Sequence, residues 1–146
     1  PFFDSADLMY QAAESLARPL ADALQALVGG ITGGGKIVVA GGALAPHAAA
    51  LLVHGFERER PPLAALSTGA EVAPLRALVD AAHEKDMAVV GFGGAAPAWR
   101  AALGETDVLV AVPHERPARV REVQLLMLHA LADAIDLQLL GEQDPA

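Results

Sequence analysis

Lys36-Ile37-Val38-Val39-Ala40-Gly41-Gly42 is the stretch that decides the fold of this chain. A short unbroken apolar run that ends on a glycine pair reads as a strand buried on both faces. Such strands belong to parallel sheets with helices packed on either side. Working outward, the pattern repeats. A helix is predicted from about Pro46 to Phe56, and Glu57-Arg58-Glu59-Arg60 with Pro61-Pro62 forms a charged connector. A second strand is predicted at Leu63–Leu66, and Ser67-Thr68-Gly69 turns it into a helix carrying Leu75, Leu78, Val79 and Ala82. Strand three is Met87–Phe92, followed by a short helix near Pro97–Leu103; strand four is Asp107–Val112. A long helix from about Pro117 to Leu140 closes the order.

Upstream of the first strand, Leu8, Met9, Ala12, Leu16, Leu20, Leu24 and Leu27 recur at helical steps and predict a helix over Asp4–Val28. Asp4 or Ser5 can cap it, Pro19 kinks it or begins a second helix, and Gly29-Gly30 with Gly33-Gly34-Gly35 end it. Ligands of sheets built this way sit beyond the carboxyl ends of the strands, near a switch in strand order. The segments to search are therefore Gly41–His47, Ser67–Gly69, Gly91–Ala96 and Pro113–Arg116.

The 146 residues suit one domain, with a helical segment over 1–34 and an α/β core over 35–146. The chain has no cysteine, which excludes disulfides, thiolate metal sites and a cysteine nucleophile, and fits a cytoplasmic location. A formal charge of −8 argues against direct nucleic-acid binding. Arg116, Arg119 and Arg121 read as solvated positions on the first turns of a helix. Lys36, Arg58, Arg60, Asp80 and Asp86 interrupt the apolar runs, so no membrane span is expected, and Pro1-Phe2-Phe3-Asp4 does not open a signal peptide.

Gly33-Gly34-Gly35-Lys36 lacks the hydroxyl residue of a phosphate loop and precedes its strand, so it reads as a turn. Gly91-Phe92-Gly93-Gly94 lacks the third glycine of a dinucleotide fingerprint. Gly41-Gly42-Ala43-Leu44-Ala45-Pro46-His47 opens a helix, where free N–H groups attract anions, but it carries no hydroxyl or amide. Ser67-Thr68-Gly69 has two hydroxyls at a strand end, and a helix cap explains it as simply as an anion site. His47, His54, His83, His114 and His129 show no metal-ligand spacing, and His129 reads as a packed core histidine. The sequence offers no acid/base pair near the strand ends, so no catalytic residue, metal or cofactor is assigned.

Lys36–Gly42 and Phe56-Glu57-Arg58-Glu59-Arg60-Pro61-Pro62-Leu63 resemble the phosphoheptose isomerase branch of the sugar-isomerase (SIS) family, and within it the DiaA-like group. So do Lys85–Val90, Asp107–Pro113, Ala118–His129 and the tail Asp136–Asp144, which extends the resemblance over nearly the whole chain. It implies a three-layer, flavodoxin-like α/β fold with long terminal helices. Here the parallel sheet is reduced to about four strands, because Leu63–Leu66 runs straight into Ser67-Thr68-Gly69 as if a strand–helix unit of roughly 30 residues were missing. The family's phosphosugar loop falls on Gly41 and Gly42 without its Asn and Ser. Its base glutamate falls near Ala50 or Leu51 and its catalytic histidine on Gln124, while a second histidine remains as His129.

The resemblance therefore implies a non-catalytic phosphosugar-binding or assembly module, with an active isomerase of a phosphorylated aldose and ketose as the alternative. Any surviving ligand site would use Gly41, Gly42, Ser67, Thr68 and Gly69. Leu139 and Leu140 would face a protein partner of replication-initiator type. A homo-oligomer, dimer or tetramer, is expected through the terminal helices. In the last helix Val120, Val123, Met127 and Leu131 form one apolar stripe and Leu125, Leu128 and Ala132 another, more than one core contact needs.

Overall fold

β1 (Lys36–Ala40) lies inside a four-stranded parallel sheet. β2 (Ala65–Thr68) flanks it on one side and β3 (Met87–Gly91) on the other, with β4 (Val108–Leu109) beyond β3. The computed structural model describes residues 1–41, 43–68, 75–92 and 97–141. Successive residues of β1 point to opposite faces of the sheet. Ile37 and Val39 join a core built with α1 (Phe2–Thr32), α2 (Ala45–His54) and α5 (Pro117–Leu140). Val38 and Ala40 join a second core with α3 (Leu75–His83) and α4 (Pro97–Ala102). Both faces are covered, as the unbroken apolar run requires. The three-layer α/β architecture and the reduced sheet are those expected.

The chain leaves β1 toward β2 and crosses back to β3, so strand order reverses between β1 and β3. That reversal places the ligand crevice at the ends Ala40-Gly41 and Gly91-Phe92. Phe92 N–H donates to the Ala40 carbonyl at 2.9 Å there, so the two strand ends stay locked together.

Several boundaries differ from expectation. β2 begins at Ala65, not Leu63, because its register on β1 pairs Ile37 with Ala65 and Ala40 with Thr68. Ser67 and Thr68 are therefore strand residues on the sheet edge and not a turn. α1 is one helix through Pro19 and through Gly29-Gly30 to Thr32. A side chain at Gly30 would lie 3.9 Å from the Ala88 Cβ, so the helix passes close over β3 at that point. Ser5 does not cap α1: its hydroxyl donates back to the Pro1 carbonyl, and Asp4 makes no cap either.

β4 is shorter than predicted, and Asp107 just before it turns its side chain inward. Its fully buried carboxylate accepts from Val89 N–H at 2.9 Å and Gly104 N–H at 2.8 Å, and meets His83 Nε2 at 2.8 Å. Helix α5 is, against expectation, long and apolar enough to cross a membrane by length and composition. Its apolar residues have another use here: Val123, Met127, Leu128, Leu131, Ala132 and Ile135 are all buried within the chain. Most of both predicted stripes of α5 thus packs internally, with Leu125 half-buried, so they do not by themselves call for a second copy.

Candidate functional site

At the strand-order reversal the backbone packs against an indole. Trp99 of α4 is buried against the ends of β1 and β3. A side-chain carbon at Gly41 would lie 2.7 Å from the Phe92 carbonyl oxygen and 3.0 Å from the Trp99 ring. Gly41 also has φ +92°, a conformation that favours glycine. Packing therefore accounts for Gly41 without a bound anion.

Just beyond β1, the first turn of α2 carries His47. Its ring centroid lies 5.8 Å from that of His129 on α5, edge to face. His129 is half-buried and stacks on Phe56 at 5.0 Å, with the planes 28° apart. The three rings come from three segments: His47 from the first turn of α2, Phe56 from just past its far end, and His129 from α5. Two facing imidazoles can do what one cannot, since one can accept a proton while the other donates.

Behind the cluster lies a buried ion pair whose arginine belongs to the charged connector. Arg60 Nε donates to Asp136 Oδ1 at 2.5 Å, and both side chains are only 1% exposed. The guanidinium also donates to the carbonyls of Leu51 (3.1 Å) and Leu52 (2.8 Å) at the end of α2. Asp136 Oδ2 accepts the backbone N–H of Phe56 at 3.3 Å. Arg60 thus caps α2, Asp136 belongs to α5, and Phe56 lies between them. An isolated buried charge is very costly, and each of these two is matched.

The other predicted residues are distributed as follows. Ser67 is exposed at the end of β2, one strand away from the reversal, and Thr68 follows it in the ladder. Gly42 and Gly69 lie outside the described residues. Gln124 is buried and donates to the Val110 carbonyl at 3.0 Å, so it anchors α5 to the chain beyond β4. Leu139 and Leu140 are half-buried, with Leu139 packed on the core. Arg119 is not a solvated position: it is half-buried and donates to the Pro1 carbonyl and the Ser5 hydroxyl, and it pairs with Glu122. His129 is a packed histidine, as read, but its neighbour is a second histidine. Among the described residues no group of three His, Asp or Glu side chains could hold a metal ion.

No protein-family model matches the chain. It is 43% identical to the phosphoheptose isomerase of Methylibium petroleiphilum, with 98% of this chain and 94% of that protein covered. It is 33% identical to the phosphoheptose isomerase of Aromatoleum aromaticum, again over 98% and 94%. Among solved structures, phosphoheptose isomerase GmhA from Neisseria gonorrhoeae matches with a TM-score of 0.69 at 26% identity, over 92% of this chain and 94% of that one. A phosphoheptose isomerase from Francisella tularensis shares the fold at 0.72 and 24% identity. The Methylibium alignment spans 189 positions against 146 residues here, so at least the difference of 43 positions has no counterpart in this chain. The missing length is of the order of one strand–helix unit with its loops. The residues of β1, the Arg-Pro connector and α5, the shared architecture and the relatives at 43% and 33% identity together show that this chain belongs to the phosphoheptose isomerase family of SIS-domain proteins.

Proposed function

We propose that this chain acts on a phosphorylated sugar and is equipped for the reaction class of its relatives, the interconversion of an aldose and a ketose, with His47 and His129 as the proton-carrying pair. One observation carries the reading: two imidazoles 5.8 Å apart, one of them on the helix that leaves the central strand at its carboxyl end. The reaction moves a proton between adjacent carbons and another between their oxygens, so it needs a base and an acid close together. Imidazole serves as either near neutral pH.

The test is turnover of sedoheptulose 7-phosphate, a phosphorylated ketoheptose. Wild-type protein should isomerise it, and His47→Gln or His129→Gln should each lower kcat by about 10²-fold or more, the usual contribution of a positioned proton-transfer group. Turnover that survives both substitutions removes the histidines from the reaction. No turnover by folded wild-type protein removes the reaction itself.

A second reading, the non-catalytic phosphosugar-binding or assembly module, is favoured by a different observation. No Asp or Glu occurs in α2, and the Methylibium relative carries at least 43 aligned positions absent here. It predicts that sugar phosphate raises the melting temperature without being converted, and that Ser67→Ala with Thr68→Ala removes the rise. We also place a second copy of the chain against α1 and α5. Support comes from a groove of about 250 Å³ lined by Met9, Leu16, Leu126 and Met127, with Tyr10 and Leu126 among the exposed large apolar side chains.

A further inference from the structure

Two imidazoles can share a reaction only if the helices carrying them keep their distance. α2 is ten residues long and begins beyond the end of β1. Its far end carries no basic residue but His54, and its last carbonyls need donors from elsewhere. The Leu51 and Leu52 carbonyls accept the N–H groups of Gly55 and Leu63, and both also accept from Arg60, six residues beyond the helix, whose guanidinium is paired with a carboxylate of α5. Asp136 lies two turns along α5 from His129 and also holds the backbone at Phe56, whose ring covers one face of His129.

We infer that the Arg60–Asp136 pair is a positioning device for His47 and His129, joining α2 to α5 and seating Phe56 on the His129 ring. The inference rests on the isomerase reading for its catalytic meaning, but its geometry stands apart from turnover. A pair that served stability alone would be replaceable by apolar side chains of similar volume, because buried ion pairs often exchange for such residues at little or no loss. A positioning pair would not be replaceable, since Met and Leu can fill the space but cannot hold the Leu51 and Leu52 carbonyls or the Phe56 N–H.

The experiment compares wild-type protein with Arg60→Met/Asp136→Leu by NMR, with the ring signals of each histidine identified by their loss in His47→Gln and His129→Gln. Phe56 stacked on His129 displaces the His129 ring protons upfield, and close approach gives cross-peaks between the two imidazoles. The folded double variant should lose the upfield displacement and the cross-peaks while its melting curve stays cooperative. Both signals unchanged in that variant would overturn the assignment.

If the double variant does not fold, Asp136→Asn and Arg60→Lys are read in the same way. Arg60→Lys keeps the charge but cannot reach the Leu51 and Leu52 carbonyls together with Asp136, so it should lose part of the displacement. Unchanged signals in both folded single variants would equally overturn it. Where wild-type protein turns over sugar phosphate, the variants should lower kcat about tenfold or more with KM little changed. If wild-type protein shows no turnover, the ring signals still decide the positioning role, so the two readings fail separately.

Discussion

Gly41 and Gly91 are matched to one side chain, the Trp99 indole, and neither could carry a larger residue without moving it. A side-chain carbon at Gly91 would lie 2.6 Å from the ring, inside any normal contact distance. The indole is buried between α4 and the strand ends, so it has little room to withdraw. Gly91→Ala should therefore destabilise the protein by about 1–3 kcal/mol, the usual cost of overpacking. Urea unfolding measures it. Adding Trp99→Leu should recover part of the loss, because the two residues share the contact. A Gly91→Ala midpoint equal to wild type would mean that the ring shifts freely. The same tight contact explains why Gly41 is legible in sequence as a special position but not as a packing one: a glycine at a strand end looks the same whether an indole or a phosphate approaches it.

At the scale of elements, α1 shows what local signals can and cannot decide. Pro19 sits inside the helix and is exposed, yet the helix does not end there. Proline removes the N–H that would reach the Ser15 carbonyl and costs roughly 3 kcal/mol inside a helix. The helix is held instead by packing, since Leu8, Leu16, Leu20, Leu24 and Leu27 all lie on the core. Pro19→Ala should raise the urea midpoint, with a gain of about 1–3 kcal/mol. An unchanged or lower midpoint would show that the proline's conformation is being used. β1, β3 and α5 were legible because their apolar patterns are strong and local. β2 was placed two residues early because register comes from pairing with β1, which hydropathy does not encode. The imidazole cluster was invisible because helical spacing rules compare residues a few positions apart, whereas Arg60 and Asp136 lie 76 residues apart. Its one sequence signal was an arginine just before a proline pair, read as part of a charged connector.

For the whole molecule, the terminal helices set the question of assembly. Most of the two stripes of α5 is satisfied within the chain, and an apolar groove remains along the α1–α5 seam, where Leu126 is about 50% exposed. Sedimentation at micromolar concentration should show a species of at least twice the 15.0 kDa chain mass, and Leu126→Glu should dissociate it without unfolding the subunit. A single monomeric species for wild-type protein would sink the proposed second copy. The indole at the strand-order reversal has one more consequence. Trp99 is the sole tryptophan of the sequence, so light emitted on excitation near the red edge of protein absorption comes almost entirely from the packed contact at the ends of β1 and β3. The fold has thereby installed a fluorophore at the reversal of strand order, and its colour and lifetime follow the dryness of that place without any label.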